Sequence, residues 1–182
     1  MDILKVIRQD HRETKALITK ILAKADGPSR ELRPLARELA VMVLLHMKSE
    51  ERALYEMCEV HGKNELRAFA LEARIEHRLI ELMLKRLNSV KPGADGQFRA
   101  AAEVVKDLLE HHMVEEEEAT IFPRIQKAFT DDERAKMAKV MVNAKSKLRP
   151  RIEAMYQEGA ATPLPMKQRV GARSKGAEAR LH

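Results

Sequence analysis

The chain lacks most of what would staple it, anchor it or build it from sheets. Cys58 is its single cysteine, which excludes an intrachain disulfide and, with it, the disulfide-framed secreted domains. A reducing, cytoplasmic setting fits. No apolar run approaches the roughly 18 residues of a membrane span, and Met1-Asp2-Ile3-Leu4-Lys5 mixes acid and base within the first turns. A soluble, unsecreted protein is expected. Aromatic residues amount to 3% and tryptophan is absent. Ala, Leu, Met, Lys, Arg and Glu dominate instead, and their side chains lose little rotamer freedom in a helix, so the expected class is all-α.

What is present suffices for one core. The chain has 182 residues of which 45% are apolar, enough for a single domain closed around a buried polar site. The net charge of +6 sits mainly at the C-terminus, where Lys167, Arg169, Arg173, Lys175 and Arg180 face only Glu178 as an acid. That segment has neither interleaved aromatics nor an apolar helical face. It supports salt-sensitive, nonspecific attraction, not sequence-specific nucleic-acid recognition or membrane insertion.

Helix breakers divide the rest. Asp26-Gly27-Pro28-Ser29, His61-Gly62-Lys63-Asn64 and Lys91-Pro92-Gly93-Ala94-Asp95-Gly96 read as turns. Between them the periodicity predicts helices over about 2–25, 30–60, 65–88 and 97–129, with Pro123 kinking the last. The third is expected to bury Leu71, Ile75, Leu79, Leu82, Met83 and Leu87 around an inward His77. The run Thr130-Asp131-Asp132-Glu133 reads as a capping box that opens a shorter helix ending near Glu158, with Pro150 as a candidate break. The expected architecture is an up-down four-helix bundle with an internal two-fold duplication, an extra C-terminal helix and a mobile tail. Its bundle domain covers 1–158 and its basic, disordered tail 159–182.

The duplication carries the chemistry. His11 and His46 stand 35 residues apart, as do His77 and His112, and each second histidine is followed four residues on by a glutamate, Glu50 or Glu116. One offset of 66 residues also superimposes Arg8 on Arg74, Met47 on Met113, Glu51 on Glu117 and Ala53 on Ala119. Counting outward from the turns puts all four histidines at similar depth in antiparallel helices, and a His and a Glu at i and i+4 share one helix face. A carboxylate on an apolar stripe costs several kcal/mol unless a partner or cation neutralises it. Four imidazoles and two carboxylates without a thiolate suit a pair of iron ions bridged by the carboxylates, with manganese or zinc as alternatives. The expected metal ligands are therefore His11, His46, Glu50, His77, His112 and Glu116.

The elements Asp10-His11 and Glu76-His77, the two His-x3-Glu-Glu elements at His46 and His112, and the following Ile121-Phe122-Pro123 resemble the hemerythrin HHE cation-binding family over about residues 1 to 158. The resemblance implies a four-helix bundle holding two iron ions with an oxo or hydroxo bridge, the histidines as terminal ligands and Glu50 and Glu116 as bridges. Oxygen-carrying members have a further histidine four residues beyond the third ligand; here Glu81 follows His77 at that spacing and Ala73 precedes it. The implied chemistry is binding or turnover of small oxygen or nitrogen species (O2, NO or H2O2), with peroxide (catalase-like) or nitric oxide handling favoured over oxygen storage. An iron- or redox-responsive regulatory module without turnover is the alternative.

Several neighbours are read more plainly. His111 with Glu115 is a competing register for the second His-x3-Glu, which a local bulge in that helix would accommodate. Glu51, Glu117 and Glu118 are expected as solvated acids or as partners behind the ligands, and Glu81 is a minor ligand candidate. Tyr55, one turn beyond Glu50, is a candidate to hydrogen-bond a metal-bound oxygen, but the favoured reading is a core tyrosine with an exposed hydroxyl; Cys58 is expected as a structural thiol and the methionines as core filler.

Overall fold

Regular structure is helical throughout the described residues, 1–93 and 96–157 of this computed structural model. Helix α1 (Ile3–Ala23) starts at Asp2, whose carboxylate accepts the Leu4 N–H at 2.8 Å. Helix α2 (Ser29–Glu50) continues through a π-helical stretch, π1 (Glu51–Tyr55), into α3 (Glu56–His61). After α4 (Asn64–Ser89), α5 (Gln97–Glu110) runs through a second such stretch, π2 (His111–Ile121), into α6 (Phe122–Ala128). Gly96, with φ of 73°, holds the left-handed turn before α5 that a side chain would disfavour. Helix α7 (Asp131–Met155) opens on the expected capping box: Thr130 Oγ1 accepts the Glu133 N–H, and the Glu133 carboxylate accepts the Thr130 N–H at 2.8 Å. The turns fall at the breaker clusters.

Pro150 does not break α7, which carries on to Met155. Pro150 and Ser146, whose carbonyl loses its helical donor, are both exposed, so water can take the missing bond. The basic segment 159–182 lies outside the described residues. Among the described residues no helix is long and apolar enough to cross a membrane.

The buried apolar side chains form two clusters with a polar layer between them. One joins Leu17–Ala25 of α1 and its loop, Leu32–Met47 of α2, Ile80–Leu87 of α4 and Phe98–Leu109 of α5. The other joins Ile3–Ile7, Ala53–Cys58, Leu66–Ala73, Ile121–Phe129 and the middle of α7. His11, His46 to Glu50, His77 and His112 to Glu117 occupy the chain positions between the clusters, so the polar layer crosses the middle of four helical segments. Helix α7 packs against α1, α2 and π1, outside that layer.

One apolar stripe faces the wrong way for the sequence expectation. Leu71, Ile75, Leu79 and Leu82 of α4 are exposed, and the core face is taken by Leu66, Phe69, Ala70, Ala73, Ile80, Leu84 and Leu87 with His77. The reason is angular: at about 100° per residue, Ile75 lies roughly opposite His77 on the helix. Periodicity grouped two faces of α4 into one.

Helix α3 closes onto α4 through Gly62. A Cβ there would stand 2.3 Å from the Cys58 carbonyl oxygen and 2.8 Å from Leu66 Cβ, neither of which can swing aside. Gly62→Ala is therefore expected to destabilise the protein by about 1–3 kcal/mol through overpacking. Chemical denaturation would show this as a lower midpoint with unchanged slope, and an unchanged midpoint would contradict the close approach.

Candidate metal centre

Four helical segments deliver six buried groups to one layer. His11, His46, His77 and His112 are at most 4% exposed, and Glu50 and Glu117 are fully buried. They form two triplets, His11 with His46 and Glu117, and Glu50 with His77 and His112, whose ligand atoms lie within 4.8 Å of one another. Glu117 approaches His11 Nε2 at 3.2 Å, and Glu50 approaches His46 Nε2 at 3.3 Å, so each carboxylate reaches toward both halves. The Nε2 atoms of His77 and His112 are 2.9 Å apart. That is the spacing of adjacent nitrogen ligands at about 2.1 Å from a shared ion.

Each imidazole is held from behind by an acid. His46 Nδ1 donates to Asp10 at 2.9 Å and His112 Nδ1 to Glu76 at 2.8 Å; His77 Nδ1 donates to Glu51 at 3.0 Å and His11 Nδ1 to Glu118 at 2.7 Å. A carboxylate only accepts, so Nδ1 carries a proton and Nε2 is the nitrogen that faces the centre, the arrangement that orients metal-binding histidines. These partners repeat across the two halves, as do Arg8 over the Phe122 ring at 4.8 Å and Arg74 over the Tyr55 ring at 5.9 Å. Asp10 has an additional contact, from Lys145 of α7.

Glu116, expected in this layer, is not brought to it. It lies at the rim, with its carboxylate 3.3 Å from Nε2 of the exposed His111, and with Glu76 and His112 it forms a third, less buried group whose ligand atoms also lie within 4.8 Å of one another. Glu117 takes the inner place. The physical reason is π2: with wider turns, the residue five beyond His112 reaches the face that the residue four beyond would occupy on an α-helix. The Phe122 N–H bonds to the Glu117 carbonyl five residues back, and Thr120 Oγ1 donates to the Glu115 carbonyl at 2.9 Å, so the widened turn is satisfied. From Glu117 onward the halves are related by 67 residues: Glu50 matches Glu117, Glu51 matches Glu118 and Tyr55 matches Phe122. The signal was in the sequence, since Glu50 precedes Tyr55 by five residues and Glu117 precedes Phe122 by five.

Tyr55 also departs from expectation. Its ring is fully buried and its hydroxyl donates to Glu117 at 2.7 Å, with Glu50 and His77 Nε2 each at 3.3 Å. Phe122 stacks on His11 in the matching position and offers no hydroxyl. His111 is exposed and bonded to Glu115, so that competing register is not assembled. Glu81 pairs with Lys85 at the surface. Cys58 is buried, and burial with the nearby Glu50 pushes its thiol up to about 12, as suits a structural cysteine.

The layer is electrostatically charged and its inner atoms lack partners. Burial opposes the imidazolium of His46, but Glu50 and Asp10 outweigh it and push the group up to about 10. Burial likewise opposes the Glu117 carboxylate, yet His112, His11 and His46 hold it well below the ordinary range. His77 is shifted down by burial and by His112 beside it. Burial, together with Glu76, pushes the rim carboxyl of Glu116 up to about 7. His11 Nε2, His46 Nε2, Glu50 Oε1 and Glu117 Oε2 are buried without a well-formed hydrogen bond and are met only by ion-pair contacts such as the 3.2 Å between His11 Nε2 and Glu117 Oε2. Inner atoms of this kind, converging from three helical segments, fit a cation that takes the place of any Nε2 proton.

A pH dependence of the metal-free protein follows. With His46 near 6.5 unfolded and about 10 folded, its contribution to stability is complete below 6.5 and is lost as pH rises toward 10. Chelator-treated protein should therefore show a melting temperature that falls through this alkaline range. A temperature that stays flat, or rises, would contradict the charged layer.

The family comparison agrees with this arrangement. No curated protein and no solved structure matches the chain. The family model of the hemerythrin HHE cation-binding domain matches residues 2–125. That span covers more than half the sequence and contains all four inner histidines and both inner carboxylates, and the chain belongs to the hemerythrin HHE cation-binding domain family.

Proposed function

We propose that this protein holds two iron ions in the buried layer and uses them to bind or turn over a small oxygen or nitrogen species, peroxide or nitric oxide in the first place. In this reading His11, His46 and Glu117 would hold one ion and Glu50, His77 and His112 the other. The observation that carries it is the set of four buried inner atoms on His11, His46, Glu50 and Glu117 that lack a well-formed hydrogen bond and converge on one layer. Manganese or zinc would find the same donors acceptable, but membership of this family favours iron. The reading treats the ligand-bearing segments as an up-down four-helix bundle with α7 added outside, supported by the way apolar membership alternates between the two clusters along successive helices.

Iron with open coordination positions supplies redox chemistry that no side chain here possesses. The chain's own residues do the rest. Asp10, Glu76, Glu51 and Glu118 fix the four imidazoles so that their lone pairs need no reorganisation. Phe122, Ile7, Leu54 and Ala73 line the neighbouring core and keep bulk water from the layer. Tyr55 holds a proton between Glu117 and Glu50, on one side of the centre only, where it can hydrogen-bond a small polar guest.

The ligand assignment separates two adjacent glutamates. Glu117→Gln is expected to lower bound iron from about two ions per chain to one or fewer, whereas Glu116→Gln keeps the full complement. Elemental analysis of both variants decides it, and the opposite pattern would return Glu116 to the centre. For the chemistry, loaded protein mixed with hydrogen peroxide should release oxygen over many turnovers, or with nitric oxide should give a new visible absorption. Protein that takes up no iron under anaerobic reconstitution would sink the iron reading.

A further inference from the structure

The exposed row on α4 is too regular to be scatter. Leu71, Ile75, Leu79 and Leu82 are 55%, 60%, 48% and 48% exposed. Their steps of four, four and three residues span three helical turns, which keeps the row nearly parallel to the helix axis. Monomers expose single large aliphatic side chains freely, but an aligned row of four marks a contact surface. The core has no use for it, because α4 already buries its opposite face.

Charge beside the row is sorted by side. At about 100° per residue, Arg67 and Arg78 fall on one flank and Glu72 on the other. All three are exposed, and none of their side chains makes an ion pair or hydrogen bond within the described residues. Their neighbours on α4 are already engaged: Arg74 with Glu59 and Glu51, Lys85 with Glu81, Glu65 with Arg124, and Arg86 with Gln97.

We propose that this row is the docking surface for a second copy of the chain, with the two α4 helices parallel about a two-fold axis that runs along them. Such an axis lays each row on its own counterpart and exchanges the flanks, so Arg67 of one copy meets Glu72 of the other. The five-residue step from Arg67 to Glu72 is about the reach between flanking positions of parallel helices. An antiparallel pair would keep each flank on its own side. Arg78 would then stand beside Arg74 of the other copy and Arg67 beside Lys85, both bases, and neither arginine would meet Glu72. Charge complementarity thus selects both the partner and its direction. The row alone is smaller than the ~800 Å² each partner gives a standard interface, so the pair is reversible and leans on Ile75 and the charged flanks.

The test uses the full chain in sedimentation equilibrium across micromolar concentrations. A dimer is expected, and Ile75→Glu should raise its dissociation constant at least about tenfold with helicity and metal content unchanged. Glu72→Arg alone should weaken the dimer similarly, and adding Arg67→Glu to it should restore association. Leu71→Cys should form a disulfide-linked dimer on mild oxidation, since residue 71 meets its own counterpart only in the parallel pair. A chain that stays monomeric, a dimer indifferent to Ile75→Glu, or a charge reversal that fails to restore association would overturn the proposal.

Discussion

The structure is organised by the cost of placing two carboxylates, Glu50 and Glu117, where no water reaches them. Each buried charge costs several kcal/mol unless something of opposite sign meets it. Four imidazoles do so here, and each is in turn held by an acid that stands closer to solvent. The polar layer therefore grades outward, from fully buried carboxylates through buried histidines to Asp10, Glu51, Glu76 and Glu118, which are partly exposed. The apolar clusters above and below confine that gradient to one level of the helices. A cation at the centre is the simplest charge that completes it.

The sequence showed the histidines, Glu50, the turns and the helix count because those depend on spacing within regular helices. It did not show Glu117 in place of Glu116, because the repeat was extended across a stretch where the turn is wider than an α-helical one. A constant offset is a statement about chain length, and chain length maps onto direction only while the helix type is constant. The missed stripe on α4 has a related cause. Hydrophobic identity says that a residue prefers to be covered, and a helix with apolar residues on two faces leaves open which face the fold will cover. The buried Tyr55 hydroxyl is not legible in the sequence because a buried hydroxyl needs acceptors, and the acceptors, Glu50 and Glu117, come together only in three dimensions.

The two halves match in ligands, in the acids behind them and in the arginines over the flanking rings, but they differ at one atom. Tyr55 brings an oxygen to the layer where Phe122 brings none. The matching halves thus supply a nearly symmetric frame, and the departure from symmetry gives the two inner triplets of residues different surroundings. Whatever enters the centre meets a hydrogen-bond donor on one side and an apolar ring on the other.

Helix α7 changes where this molecule should be considered to end. The family match stops at residue 125, before α7 begins, yet Lys145 reaches back to Asp10, which in turn holds His46. Met137, Ala138 and Met141 of the same helix complete the apolar cluster beneath the layer. A gene fragment trimmed to the matched span would keep every inner histidine and carboxylate while removing part of the wall and one of the props behind them. In this chain the heritable unit of the metal centre is longer than the signature by which its family is known.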